Sequence, residues 1–299
     1  MSAALQALPD ALYDRQKHIG SSDIAAILGI SPWASAVDCW MKKTQPVAED
    51  NRNAKAKARG SRLEPYIRDM IEHEYDIQIE AWNNRYVDPE IPVFVSEIDA
   101  ETREQVNIEI KAVHPFAAKD WGEQDTDELP MHYVAQVQWA LGVTRRQHAL
   151  VFALIGDDLR QYRVERDLEL IAAMRHRALL FWNDNVLPKV PPRLDYSDPV
   201  RTVETLKKLY PGTNGVLLQA TESQIHWKHV LEESQVMHTN YERAIESAKA
   251  HLLAEMGPAA AIHFPDGMAF ERKKVTRKGF TVEPSTFMQS RFTKIKEAK

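Results

Sequence analysis

Between residues 77 and 113 the apolar positions recur every second residue, whereas on both sides they recur at helical spacing. Ile77-Gln78-Ile79-Glu80-Ala81-Trp82, Val93-Phe94-Val95-Ser96 and Val106-Asn107-Ile108-Glu109-Ile110-Lys111 each alternate, which predicts strands. A second pair is predicted further on: His148 to Ile155 as a buried strand, Gly156-Asp157-Asp158 as a turn, and Leu159 to Val164 returning. The order is helices, strand meander, helix, strand pair, helix. It predicts an α/β (α+β) fold, with a central mixed β-sheet flanked by helices.

The helical segments carry start and stop signals. Ser21 or Ser22 supplies a capping hydroxyl for a helix through Leu28, and Gly29 sits just past its end. Ser35 caps a second helix through Met41, after a Ser31-Pro32-Trp33 turn. Residues 45–58 are either a loop or a lead-in to the next helix. Glu64-Pro65 is expected to open that helix, which runs to about His73 with Ile67, Met70 and Ile71 on one side. Pro130 to Gly142 and Leu168 to Val186 are two further helices. Pro188, Pro191, Pro192 and Pro199 mark a change of regime, so residues 1–190 are expected to form the core and 191–299 a helical, basic C-terminal extension. Within that extension Thr221, with Gln224 three residues later, starts a helix to about 256, expected to pack on its own domain.

Composition narrows the classes. The chain has 299 residues, 44% hydrophobic and 27% charged, enough for a substantial core. No apolar run reaches the roughly 18 residues of a membrane span, and no signal peptide is evident, so a cytoplasmic setting without membrane contact is expected. A single cysteine, Cys39, excludes a disulfide framework and any zinc or iron–sulfur site held by several thiolates; it is expected to be simply packed. The net charge of −5 conceals an asymmetry. Residues 42–68 hold eight Lys/Arg against three acids, and 271–299 hold nine against three, whereas 90–130 hold eleven acids against three bases. Each segment alone reads as solvated surface. Together, basic walls around an acidic centre suit a metal-dependent enzyme acting on a polyanion.

The acidic centre contains Ser96-Glu97-Ile98-Asp99 and, after nine intervening residues, Glu109-Ile110-Lys111. Glu109 and Lys111 are two apart on a strand and point to one face, while Ile108 and Ile110 point to the core. Two such carboxylates suit a hard divalent cation, which polarises a phosphate and acidifies water beside the ammonium. Glu-x-Lys alone is a common surface pattern. It gains weight from Arg59-Gly60-Ser61-Arg62-Leu63-Glu64-Pro65 upstream and Tyr133-Val134-Ala135-Gln136-Val137-Gln138 downstream, where two glutamines two apart on a helix cannot both face a site.

With Gly20-Ser21-Ser22-Asp23-Ile24, Leu28-Gly29-Ile30-Ser31-Pro32-Trp33, Gly60-x-x-Leu63-Glu64-Pro65, Asp99 with Glu109-Ile110-Lys111, and Gln136-Val137-Gln138 in this order, residues 13–187 resemble the YqaJ-like phage-type recombinase exonucleases. These are relatives of lambda exonuclease in the PD-(D/E)xK nuclease class. The resemblance implies a restriction-endonuclease-like core and Mg²⁺-dependent (Mn²⁺ as an alternative) 5′→3′ digestion of linear double-stranded DNA. The 3′ single strand that remains would serve a single-strand annealing protein. It also implies a homo-oligomeric ring, often a trimer, and a phage or prophage origin in a bacterial host cell. Carried onto this chain, Asp99, Glu109 and the Ile110 carbonyl would hold the metal, with Glu64 reaching it directly or through water. Lys111 would act on the water and Gln136 would support the site. Arg15 and Ser22 would hold the DNA 5′-phosphate, helped by the amides of the helix beginning near Ser22. Trp33 would contact the DNA end. The chain departs from the commoner Asp-Gly at Asp99-Ala100, which leaves Glu97 a rival ligand, its side chain expected to alternate away from that face. His73, His114, His132 and His148 lack metal-ligand spacing. Trp40, Trp82, Trp139 and Trp182 read as core or interface. Two other readings remain open: an endonuclease or structure-specific nuclease on the same core, and a DNA-end-binding recombination accessory protein without catalysis. All share DNA contact through 42–68 and 271–299.

Overall fold

The structure is a computed structural model and describes residues 15–46 and 54–276. The chain divides into two compact units, Met1–Tyr210 and Pro211–Lys299. The first is built on a five-stranded sheet: β1 Ile79–Val87, β2 Val95–Thr102, β3 Asn107–Val113, β4 His148–Ile155 and β5 Asp158–Glu165, lying side by side in that order. All neighbours are antiparallel except β3 and β4, which are parallel. Parallel neighbours need a crossover, and the helix Met131–Thr144 supplies it. The mixed sheet flanked by helices is the expected α/β architecture.

Side-chain alternation divides the core in two. Ala149, Val151, Ala153 and Ile155 of β4 pack with α1 (Ser21–Ile27), α2 (Ala36–Thr44), α4 (Met131–Thr144) and α5 (Leu168–Phe181). Phe152 and Leu154, with Ile108 and Ile110 of β3, pack instead on Ile67 and Ile71 of α3 (Ala54–Glu74). α3 and α4 therefore cover opposite faces of one sheet.

Several boundaries differ from the sequence reading, each for an identifiable reason. α3 does not open at Glu64-Pro65: it begins ten residues before Glu64, at Ala54, and continues through the proline. The strong helix formers Ala54 to Arg59 favour the earlier start, and the buried Ile67 and Ile71 hold the helix on the sheet across the lost hydrogen bond. α1 is capped by neither serine. Gly20 is its N-cap, and the Asp23 carboxylate accepts from the Gly20 N–H at 3.0 Å. Past its end Gly29 adopts φ +76, the left-handed conformation a glycine stop supplies. Ser35 caps α2 as expected, accepting from the Asp38 N–H at 3.1 Å. α4 runs two residues beyond Gly142, which lies against α5 instead of ending the helix.

A helix α6 (Pro199–Leu209) belongs to the first unit, where its Lys208 pairs with Asp38 of α2 at 2.6 Å. The second unit comprises the 35-residue α7 (Glu222–Met256), capped by Thr221 as read, and a small hairpin of β6 Ala261–His263 with β7 Ala269–Glu271. Trp227, Tyr241 and Ile245 of α7 are exposed, against the expectation that this helix packs on its own domain. Of the two basic segments, Arg52 and residues 277–299 lie outside the described residues.

Candidate active site

The β2–β3 ladder pairs only Ala100 with Ile108 and Glu101 with Asn107. Beyond it the Ile110 N–H has no backbone partner on β2 and donates to the Asp99 carboxylate at 2.8 Å. Because the N–H and C=O of one strand residue point to the same side, the Ile110 carbonyl faces the same gap. Asp99 sits within β2. Alternation corrects the expectation for Glu97: Glu97 and Asp99 are two apart and share a face. What separates them is position along the strand, since Glu97 is exposed and pairs in register with Arg85 of β1, away from β3.

Glu109 projects from β3 to the α4 side, where it accepts hydrogen bonds from Lys111 and Gln136. It is 5% exposed. Burial, the Asp99 carboxylate and, to a smaller extent, Glu64 push its carboxyl up to about 7, against the pull of Lys111. Burial acts to lower Lys111, but Glu109 and Asp99 outweigh it and hold the ammonium well above the ordinary lysine range. Glu64 approaches from α3; burial and Asp99 raise its carboxyl, and Arg68 and Lys111 offset part of that. Gln138 faces elsewhere, donating to the Glu165 carbonyl at 2.6 Å and accepting from the Asp167 N–H at 3.0 Å.

The structure therefore brings together Asp99, Glu109, Ile110, Lys111 and Gln136, with Glu64 close enough to act through its charge. Arg15 and Ser22 are exposed and make no side-chain hydrogen bond among the described residues. Their neighbours tie the segment down: Lys43 donates to the Arg15 carbonyl and to Asp23, both at 2.6 Å, and Ser21 bonds Ser96 of β2 at 2.8 Å. Trp33 is 59% exposed and packs edge-on against His132, with ring centroids 4.7 Å apart, and on Tyr133 at 6.0 Å. The Lys111 ammonium lies 5.4 Å from the Tyr133 ring. Sequence reasoning missed Tyr133 and His132 as the link between Trp33 and Lys111. The signal was present, since Tyr133 precedes Gln136 by three residues and shares its helix face.

Oxygen donors crowded enough to raise one another's proton affinity fit a hard divalent cation. Among the described residues no group of three or more His, Cys, Asp or Glu is arranged to hold a metal, so any cation here would rest on fewer carboxylates. Cys39 is buried, and burial pushes its thiol up, as expected of a packed cysteine. No helix among the described residues is long and apolar enough to cross a membrane.

An acid on one strand and acid-x-Lys on the next share one face of the mixed sheet, and comparison with known proteins gives the family. Residues 12–147 match the YqaJ-like viral recombinase domain, and this part of the chain belongs to that family. The chain is 31% identical over 206 residues to the uncharacterized protein YqaJ of Bacillus subtilis (strain 168), covering 68% of this chain and 63% of that relative's length. Among solved structures, an alkaline exonuclease from Laribacter hongkongensis matches 67% of this chain and 98% of its own at 18% identity, with a TM-score of 0.47. A phage related exonuclease from Haemophilus somnus 129PT matches 57% of this chain and 96% of its own at 15% identity, with a TM-score of 0.40.

Proposed function

We propose that the protein is a recombination exonuclease that digests linear double-stranded DNA 5′→3′ with Mg²⁺, Mn²⁺ being an alternative. The observation that carries this reading is the buried Glu109, raised by Asp99 and Glu64 and bonded to Lys111 and Gln136 on one face of the sheet. Asp99, Glu109 and the Ile110 carbonyl would hold the cation, which neutralises charge on the scissile phosphate and acidifies water when bound. Glu64 would reach it directly or through water. Glu109 and Asp99 favour the Lys111 ammonium, which would position or activate the water and offset developing negative charge. Gln136 fixes the Glu109 rotamer. The exposed Arg15 and Ser22 would hold the 5′-phosphate of the digested strand, and Trp33, propped on His132 and Tyr133, would stack on the terminal base pair.

Incubation with linear 5′-phosphorylated duplex and Mg²⁺ tests the reading. Mononucleotides should be released from the linear DNA, and a covalently closed circle should survive. Cutting of the circle would favour an endonuclease, and binding to ends without degradation would favour the accessory reading. Removing the 5′-phosphates, or Arg15→Ala, should slow initiation; unchanged kinetics would reject the phosphate role. Delivery of the remaining 3′ strand to a single-strand annealing protein, and assembly as a homo-oligomeric ring such as a trimer, extend the proposal. Light scattering of the purified chain checks the assembly, and a monomer would remove it.

A further inference from the structure

One well-formed cleft lies away from the carboxylates. It has a volume of about 660 Å³ and lies between α3 and the β4–β5 turn, walled by Lys55, Arg59, Arg62 and Tyr66 of the helix and by Leu154 and Asp157. Leu154 belongs to the α3 face of the sheet, whereas Glu109 and Lys111 project to the α4 face, so the cleft and the carboxylate cluster are on opposite sides. α3 itself has two working flanks. Lys55, Arg59, Arg62 and Tyr66 follow one another at steps of four, three and four residues and form one stripe. Glu64 and Arg68 form another, with the Arg68 guanidinium 4.9 Å over Trp82. The buried Ile67 and Ile71 lie between the two flanks.

The chemistry of the cleft is that of an anion site with an aromatic platform. Lys55, Arg59 and Arg62 are exposed and make no ion pair or hydrogen bond among the described residues, and Asp157 is the sole acid in the lining. Three like charges facing a single carboxylate leave a net positive cleft, which attracts a polyanion. They extend over roughly 10 Å of helix, longer than a single phosphate needs. Tyr66, 56% exposed, lines the same cleft as the apolar Leu63 and Leu154. Such a ring can stack on a base only if that base is unpaired, which excludes the interior of a duplex.

We propose that this cleft is a single-stranded DNA subsite separate from the hydrolytic centre, with Lys55, Arg59 and Arg62 on successive phosphates and Tyr66 stacked on a base. It rests on the reading that the chain acts on DNA, and it names the undigested strand as a ligand. The test uses the full chain carrying Asp99→Asn, in EDTA, with fluorescence anisotropy of fluorescein-labelled (dT)20. R59A/R62A should weaken binding about tenfold and reduce the logarithmic salt slope by about 1.4, two phosphate contacts on a single strand. Tyr66→Ala should weaken it about tenfold through lost stacking, while Tyr66→Phe stays within about twofold. A blunt duplex should be insensitive to Tyr66→Ala. All these side chains are exposed, so the variants keep the fold. Unchanged affinity in both R59A/R62A and Tyr66→Ala overturns the proposal. Displacement of (dT)20 by dTMP at equal nucleotide concentration also overturns it, and assigns the cleft to free nucleotide. If linear duplex is not degraded by the unmodified chain while this binding pattern holds, the exonuclease reading fails and the subsite stands.

Discussion

Glu101 and Glu109 are two buried glutamates on adjacent strands of one sheet, facing the same side, 8% and 5% exposed, each touching a cation. Their protonation moves in opposite directions. At Glu101 burial favours the neutral acid, but hydrogen bonds from Tyr86, Arg146 and Asn84 outweigh it and hold the carboxyl below its ordinary range. Tyr86 and Asn84 donate at 2.6 Å each, and Arg146 also reaches Asn107 at 2.6 Å. At Glu109 burial is reinforced by two other carboxylates, and Lys111 does not overcome them. Burial and a cationic partner therefore do not distinguish a working acid from a structural one. Uncompensated like charge is what sets Glu109 apart, and it suits the cation proposed to bind there.

The same substitution at the two positions should break this symmetry. Glu109→Gln keeps the shape and the Gln136 contact but removes the charge that would hold the cation; cleavage of linear duplex should fall about 10³-fold, equivalent to about 4 kcal/mol. Stability of that variant in urea should stay within about 1 kcal/mol of the parent, since the charge removed is one its neighbours oppose. Glu101→Gln should do the reverse. It leaves the Arg146 guanidinium without its carboxylate in a buried site, and urea denaturation should show a loss of about 3 kcal/mol. Activity per folded molecule should be unchanged. Equal losses of activity at both positions would erase the distinction.

Asp88 extends the structural side of the comparison and gives it a pH signature. Its side chain is fully buried, and burial alone would raise the carboxyl; the Arg175 guanidinium and the N–H groups of Ile91 and Glu90 outweigh that and lower it. A depressed folded-state value means the stabilisation is complete above the unfolded value of about 3.9 and is lost as pH falls through the folded one. Urea midpoints measured from pH 6 downward should therefore drop in the acid range, and Asp88→Asn should flatten part of that slope while lowering stability at pH 6. A slope unaltered by Asp88→Asn would remove this carboxylate from the structural set.

The acid–acid-x-Lys pattern was legible because strand alternation makes facing a matter of counting, and Glu109, Lys111 and Asp99 obey it. The same rule, correctly applied, places Glu97 on the Asp99 face; what it does not reveal is where the β2–β3 ladder stops, and that decides which of the two meets β3. Helix starts were read from capping side chains, which worked at Ser35 and Thr221 and failed at Gly20, where the cap is a backbone N–H held by Asp23. Pro65 was given more weight as an opener than the helix formers before it. The cleft beside Tyr66 was not legible, since it joins α3 to a turn more than ninety residues away.

Two helical glycines carry the contrast between packed and open surface to its smallest effect. A Cβ on Gly142 would lie 2.8 Å from the Ile171 side chain, so α4 and α5 approach as closely as they do because no methyl stands between them. Gly142→Ala should destabilise the first unit by about 2 kcal/mol, the ordinary cost of overpacking. Gly60 has nothing within 4 Å of the position a Cβ would take, one turn before Glu64 on the same helix face. In the free protein, then, Gly60→Ala should stabilise by about 1 kcal/mol, through helix propensity alone. If that open space is where the DNA backbone passes Glu64, the methyl will raise KM for linear duplex while leaving kcat and the gain in stability intact. An unchanged KM alongside the expected stabilisation would show that Gly60 faces solvent only, and would move the DNA path away from this flank of α3.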